Sequence, residues 1–262
     1  MSMIGRAFKP FGYTLVPSKS LAKLPQVTFL QRLFALLEID CVFDVGANRG
    51  QFGSSLRKDV GFQGTIISFE PVPASLEKLR DSAKGDSRWI VQPYALGSAA
   101  GKIKMNVMAN NVFSSFLSPD HQHIERFRSM NRVVEQIDVE VKTLSTVVPE
   151  LVAATKSSSL YLKLDTQGFD LDVAVGGGQA MSAFRALQTE ASVVPIYAGM
   201  PDFSKSIAAF REMGFEVSAF FQVNPKSHFP RMIEFDCHMI NRAFLPSSVS
   251  AAPAPDGIGP RQ

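Results

Sequence analysis

Cysteine is scarce in this chain: Cys41 and Cys237 are the two among 262 residues. So few thiols exclude a disulfide-built scaffold. Each lies in an apolar segment, so two reduced, buried thiols in a cytoplasmic protein are expected. An excess of one charge is also lacking. Lys and Arg number 27 against 24 Asp and Glu, a formal net charge of +3. With no basic run, that balance gives no reason to expect a nucleic-acid partner. No apolar stretch reaches the ~20 residues that a membrane helix needs. The first residues include Lys and Arg but no unbroken apolar core, so neither a signal peptide nor stable membrane insertion is expected. Tryptophan and tyrosine are few, one and four, whereas phenylalanine reaches 21. Most of those rings are expected in a core, with a few free to line an apolar cleft.

What is present is a globular composition, 45% hydrophobic and 19% charged. Its length suits one large α/β domain with extensions. Residues 1–39 read as an N-terminal helical extension, because Leu30, Leu33, Phe34 and Leu37 recur at helical spacing over 26–38. Residues 40–245 read as the domain. The Pro-, Ala-, Ser- and Gly-rich stretch 246–262 reads as a disordered tail.

Within the domain, short apolar strands alternate with helices. Strands are expected at 41–45, 65–69, 89–92, 160–164 and 187–190, and helices at 51–59, 73–84, from about 169, and 203–213. Strands at 215–223 and 232–241 close the chain. This rhythm predicts a mostly parallel, seven-stranded sheet with helices on both faces. Ligands then belong at the carboxyl ends of the strands. Two further strands, 102–107 and 133–142, interrupt the rhythm. The long polar stretch 108–131 between them reads as a lid or acceptor loop.

The first strand ends in Asp44-Val45-Gly46-Ala47-Asn48-Arg49-Gly50. Gly46 permits a sharp turn, and the small Ala47 and Gly50 permit close approach to the next helix's N-terminus. Glu70 ends the second strand, 24 residues after Gly46, where a carboxylate can accept both hydroxyls of a ribose. The G-x-x-x-G spacing and the acidic Asp44 disfavour a pyrophosphate and suit an ammonium. An adenosine cofactor without pyrophosphate follows. Asp165 and Glu190 end two later strands near the same edge, where they could support a sulfonium or accept a proton. Asp120, His121 and His123 lie in the connecting stretch. His123 reads as a general base or substrate ligand, with no metal expected for want of a third well-spaced partner. Glu234, Asp236 and His238 alternate on one side of the last strand. That side is either a cleft wall or a solvated outer face.

These pieces together resemble the FkbM family of S-adenosylmethionine-dependent methyltransferases. The resemblance spans roughly 40–242. It rests on Val42 to Phe52, Ser68-Phe69-Glu70-Pro71, Ala95-Leu96-Gly97, Leu162 to Phe169, Gln188-Thr189-Glu190 and Pro195-Ile196-Tyr197. It implies a class I methyltransferase, Rossmann-like fold, S-adenosylmethionine as cofactor, and O-methylation of a hydroxylated small molecule, glycan or glycolipid. Asp44, Gly46, Ala47, Asn48, Gly50, Phe52, Glu70 and Pro71 would then hold the cofactor. Tyr94 and Ala95 would lie by its adenine, and Ser115 and Asp165 would complete the site. Asp165, Glu190 and His123 would serve catalysis. Gln167 and Asp170 stand where the commonest family pattern has two glutamates. The alternatives are an NAD-dependent oxidoreductase on a similar sheet, or a cofactor-binding module without catalysis.

Overall fold

The computed structural model describes residues 18–120, 129–223 and 230–245. The 246–262 tail and His121 and His123 therefore lie outside the described residues, as do residues 1–17.

Seven strands form the main sheet: β1 (Cys41–Val45), β2 (Thr65–Phe69), β3 (Trp89–Gln92), β7 (Leu160–Leu164), β8 (Phe184–Ser192), β9 (Phe215–Gln222) and β10 (Glu234–Asn241). Their order is β3-β2-β1-β7-β8-β10-β9. The strands from β3 to β8 run parallel, and β10 is antiparallel to both β8 and β9. β1 and β7 are buried along their whole length, which suits central strands covered on both faces. The chain steps outward from β1 to β3 on one side, then resumes at β7 on the other. The crevice left at that reversal is where such sheets bind ligands.

Helices cover both faces. On one face, α1 (Leu24–Leu36) inserts Leu30, Leu33 and Phe34 among Val42, Tyr161, Ala186 and Ile240. Pro25, in its first turn, presets the backbone angle and removes an N–H that would lack a helical partner. The short α2 (Gln51–Ser55) and α3 (Pro73–Ala83) share that face. On the other face, α4 (Leu144–Thr155), α5 (Asp170–Gly177) and α6 (Phe203–Glu212) pack on Phe43, Leu162 and Leu187.

α4 lies outside the helices read from the sequence. Pro149 interrupts it, and Val147, Val148 and Val152 are β-branched, which lowers helix propensity. Tertiary burial decides instead: Leu144, Val147, Val148 and Leu151 form its buried stripe at helical spacing.

The interrupting strands pair with each other. β5 (Gly101–Met108) and β6 (Val133–Lys142) are antiparallel, with β4 (Ala95–Leu96) on the far side of β6. The described part of the 108–131 stretch is tied down by bridges from Ser115 to Asn106 and from Pro119 to Tyr197. Among the described residues, no helix is long and apolar enough to cross a membrane.

α1 covers one face of the sheet with Leu30, Leu33 and Phe34. Leu33→Ala should therefore lower the unfolding free energy by about 2–5 kcal/mol in urea denaturation. Unchanged stability would show that α1 is not packed on the sheet.

Candidate active site

A cavity of about 670 Å³ opens at the carboxyl ends of β1, β2, β7 and β8. One wall comprises Gly46, Ala47, Asn48, Phe52, Glu70, Pro71 and Ala95. The lining also includes Gln26, Val27 and Leu30 of α1, Gln188 of β8, Phe221 of β9 and Asp236 of β10. Asp165 and Glu190 lie on the cavity surface.

The glycine loop owes its shape to a neighbouring strand. Gly46 has φ +76°, and a Cβ there would lie 2.0 Å from the Asp165 carbonyl oxygen. Asn48 follows at φ +49°, a left-handed conformation that asparagine tolerates better than most residues. Its backbone N–H donates to Glu70 Oε2 at 2.8 Å, and the Val72 N–H donates to Oε1 at 2.8 Å. Glu70 is thus fixed at the cavity wall with lone pairs to spare. Burial raises its pKa to about 7, against the opposing pull of those two N–H groups.

Asp44 does not line the cavity. It is fully buried, accepts from Ser68 Oγ at 3.1 Å, and lies 3.1 Å from Lys163 Nζ. The two residues are register partners on β1 and β7. Their charges meet on the face of the sheet beneath α1, with Lys163 at the cavity and Asp44 outside its lining. Lys163 also reaches Asp165 Oδ2 at 3.4 Å and the Gly46 carbonyl at 3.2 Å. Burial pulls the lysine pKa down, but Asp44 and Asp165 outweigh it and hold it above the ordinary value.

The β7 loop brings two carboxylates together. Gln167 Nε2 donates to Asp165 Oδ1 at 3.0 Å and to Glu190 Oε2 at 2.9 Å. The Tyr197 hydroxyl lies 2.9 Å from Gln167 Oε1, and Ser115 Oγ donates to the Gln167 carbonyl at 2.8 Å. Asp170 anchors the same loop by accepting from the Thr166 N–H at 2.8 Å and Thr189 Oγ1 at 2.6 Å. Glu190 is enclosed by protein except where it meets the cavity. Burial, then repulsion from Glu234 and Asp165, raises its pKa well above the usual carboxylate range. Burial likewise raises Glu234 to about 7 and Asp236 to about 6.

Of the residues expected from the sequence, Gly46, Ala47, Asn48, Phe52, Glu70, Pro71, Ala95, Asp165 and Glu190 share this cavity. Four do not line it. Asp44 is buried against Lys163 and Ser68. Gly50, at φ +81°, faces Leu79 and Trp89. Tyr94 is a core ring against Phe69, and Ser115 braces the Gln167 loop. Among the described residues, no group of three His, Cys, Asp or Glu side chains could hold a metal. Lys163, Gln26 and Gln188 are additions from the structure. The signal for Lys163 was legible, since it is a lone charge inside the apolar run Leu160-Tyr161-Leu162-Lys163-Leu164. β10 is an inner strand between β8 and β9; of its polar side Asp236 lines the cavity, while Glu234 and His238 are buried.

Two outcomes follow. Lys163→Met leaves the Asp44 charge buried without its partner, which should destabilise the fold by about 3–5 kcal/mol in urea denaturation. A loss below about 1 kcal/mol would contradict the ion-pair assignment. Glu70, Glu190 and Glu234 bind protons in the folded state at a pH where the unfolded chain has released them. Their raised pKa values favour folding at low pH, and that contribution fades as pH rises through the folded values. His238, lowered to about 3, acts oppositely, but only below its unfolded value of 6.5. The ligand-free melting temperature should therefore fall between about pH 6.5 and 8, and a rise over that window would contradict these assignments.

The profile of the Methyltransferase FkbM domain matches residues 44–217. No curated protein matches the chain. Among solved structures, the FkbM methyltransferase of Methylobacillus flagellatus KT aligns with TM-score 0.45 and 13% identity over 76% of this chain. The chain spans 43% of that protein's length. The magnesium protoporphyrin IX methyltransferase of Synechocystis PCC 6803, solved with bound S-adenosylmethionine, aligns with TM-score 0.46 and 9% identity, covering 91% of this chain and 90% of that one. The family match removes the oxidoreductase alternative. The chain belongs to the FkbM family of methyltransferases, and its cofactor is S-adenosylmethionine.

Proposed function

We propose that this enzyme is an O-methyltransferase acting on a sugar hydroxyl of a glycolipid, glycan or related natural product. The observation that carries the reading is the pair of cavity-facing carboxylates, Asp165 and Glu190, held by the Gln167 amide.

The residues present fit the cofactor. Glu70 offers carboxylate lone pairs to a ribose, and Ala47, Phe52, Ala95 and Leu96 offer apolar surface to an adenine. A cavity of about 670 Å³ has room for a cofactor and part of an acceptor. When bound, the cofactor supplies a methyl group on a positively charged sulfur. Asp165 places negative charge near that region, and Lys163 holds the carboxylate in position. In its deprotonated form Glu190, made more basic by burial, is suited to take the proton that an acceptor hydroxyl must lose. Its hydrogen bond from Gln167 fixes the direction in which the remaining oxygen faces. A cytoplasmic location belongs to the same reading, supported by two free, buried thiols.

The test is transfer of labelled methyl from S-adenosylmethionine to a panel of glycosides. Base-stable label on hydroxylated acceptors is expected; label confined to amines or carboxylates would overturn O-methylation. Glu70→Ala should weaken S-adenosylhomocysteine binding about tenfold or more in calorimetry, as two charge-assisted hydrogen bonds are lost. Glu190→Gln should lower turnover about a hundredfold while leaving that affinity within about twofold. Wild-type turnover in Glu190→Gln would remove Glu190 as the base.

A further inference from the structure

Helix α1 lies outside the segment that matches the family, yet it supplies a wall of the cavity. Its Gln26 enters a buried polar chain on the sheet. Gln26 Nε2 donates to Asp236 Oδ2 at 2.8 Å and lies 3.2 Å from His238 Nε2. His238 Nδ1 lies 2.9 Å from the Tyr161 hydroxyl, which in turn lies 3.5 Å from Gln188 Oε1. His238 is fully buried, with Phe29 and Phe221 edge-on to its ring. Burial lowers its pKa to about 3, so the ring is neutral.

Donor and acceptor counting orients the whole chain. The Asp236 carboxylate can only accept from Gln26. A neutral His238 must then present its Nε2 lone pair to the second amide hydrogen. Its proton sits on Nδ1 and goes to the Tyr161 oxygen, so the Tyr161 proton points to Gln188. Turning the Gln26 amide over would set its carbonyl oxygen against the carboxylate, which is repulsive. Both amide hydrogens of Gln26 are therefore spent on the sheet, and its Oε1 is left over. Among the described residues, none donates to that oxygen.

We infer that Gln26 is a specificity-determining residue for the acceptor: its locked Oε1 accepts a hydrogen bond from a hydroxyl of the acceptor, beside Glu190 and Asp236. Asp236 is the register partner of Glu190 across β8 and β10, so this oxygen lies over the same end of the sheet as the proposed base. The assignment rests on the proposed function above. Tyr161 and His238 act through Gln26 and are positioning residues.

The test is nuclear magnetic resonance on the full chain loaded with S-adenosylhomocysteine, with glycerol as a minimal polyol probe. The expected results are an Nδ1–H tautomer at His238 and a saturable shift of the Gln26 side-chain amide on adding glycerol. In Gln26→Met, the apparent glycerol affinity read at the Gln188 side chain should fall about fivefold, the factor for one neutral hydrogen bond. An Nε2–H tautomer at His238 would overturn the inference, as would a Gln26 amide that stays still while other cavity signals move. Both readouts use the unsubstituted protein, so they stand even where the variant fails to fold. If Gln26 responds and glycosides receive no methyl, the proposed function fails and this inference survives. If glycosides are methylated and Gln26 is silent, the reverse holds.

Discussion

One buried ammonium sets the geometry of this site. Lys163 Nζ lies within 3.4 Å of Asp44 Oδ1, Asp165 Oδ2 and the Gly46 carbonyl. Asp44 and Lys163, buried on central strands, would each be a heavy desolvation burden singly; together they satisfy one another, and Asp165 adds a second carboxylate from the cavity side. The arrangement couples the cavity's parts. Gly46 opens the loop that reaches Glu70 through the Asn48 N–H, and Asp165 opens the loop that reaches Glu190 through Gln167. Both loops are referenced to the same ammonium, so a displacement of either strand end would disturb both halves of the cavity.

The face of the sheet beneath α1 changes character along its strands. Toward their amino ends, Val42, Tyr161 and Ala186 meet Leu30, Leu33 and Phe34. Two residues further along the same face come Asp44, Lys163 and Gln188, and beyond them Asp165 and Glu190. The period-two alternation of a strand keeps all of these on one side. α1 thus seals an apolar floor with its third turn and faces a polar crevice with its first. That division explains why a helix outside the family-matched segment bounds the cavity.

Much of this was legible in the sequence because it depends on local pattern. The apolar runs at β1, β2 and β7 and their carboxyl-end acids follow from strand physics alone. Side-chain direction was less legible. Asp44 reads as a cavity residue from its place in the loop motif, but its register with Lys163 on a strand 119 residues later buries it in an ion pair. Gly46 reads as a turn glycine, while its stronger requirement is the Asp165 carbonyl, 2.0 Å from where a Cβ would stand. α4 was hidden by Pro149, and its burial against the sheet is a tertiary effect. The sequence points to the 108–131 stretch as the acceptor wall, whereas α1 and the β9–β10 edge also bound the cavity. No local pattern reports that residue 26 meets residues 236 and 238.

Backbone strain marks the same two loops. Asn48 and Gln167 are non-glycine residues at φ +49° and +54°, conformations that cost on the order of 1 kcal/mol or more. Each is held by what its atoms reach: the Asn48 N–H meets Glu70, and the Gln167 amide meets Asp165 and Glu190. The identity of Gln167 then has a chemical reason. A glutamate there would place a third carboxyl between two others and would need a proton to bridge them. The amide brings two hydrogens and no charge, so Asp165 and Glu190 are joined without a third carboxyl between them. Burial makes Glu190 a stronger base than an ordinary carboxylate, and its deprotonated form can take an acceptor's proton.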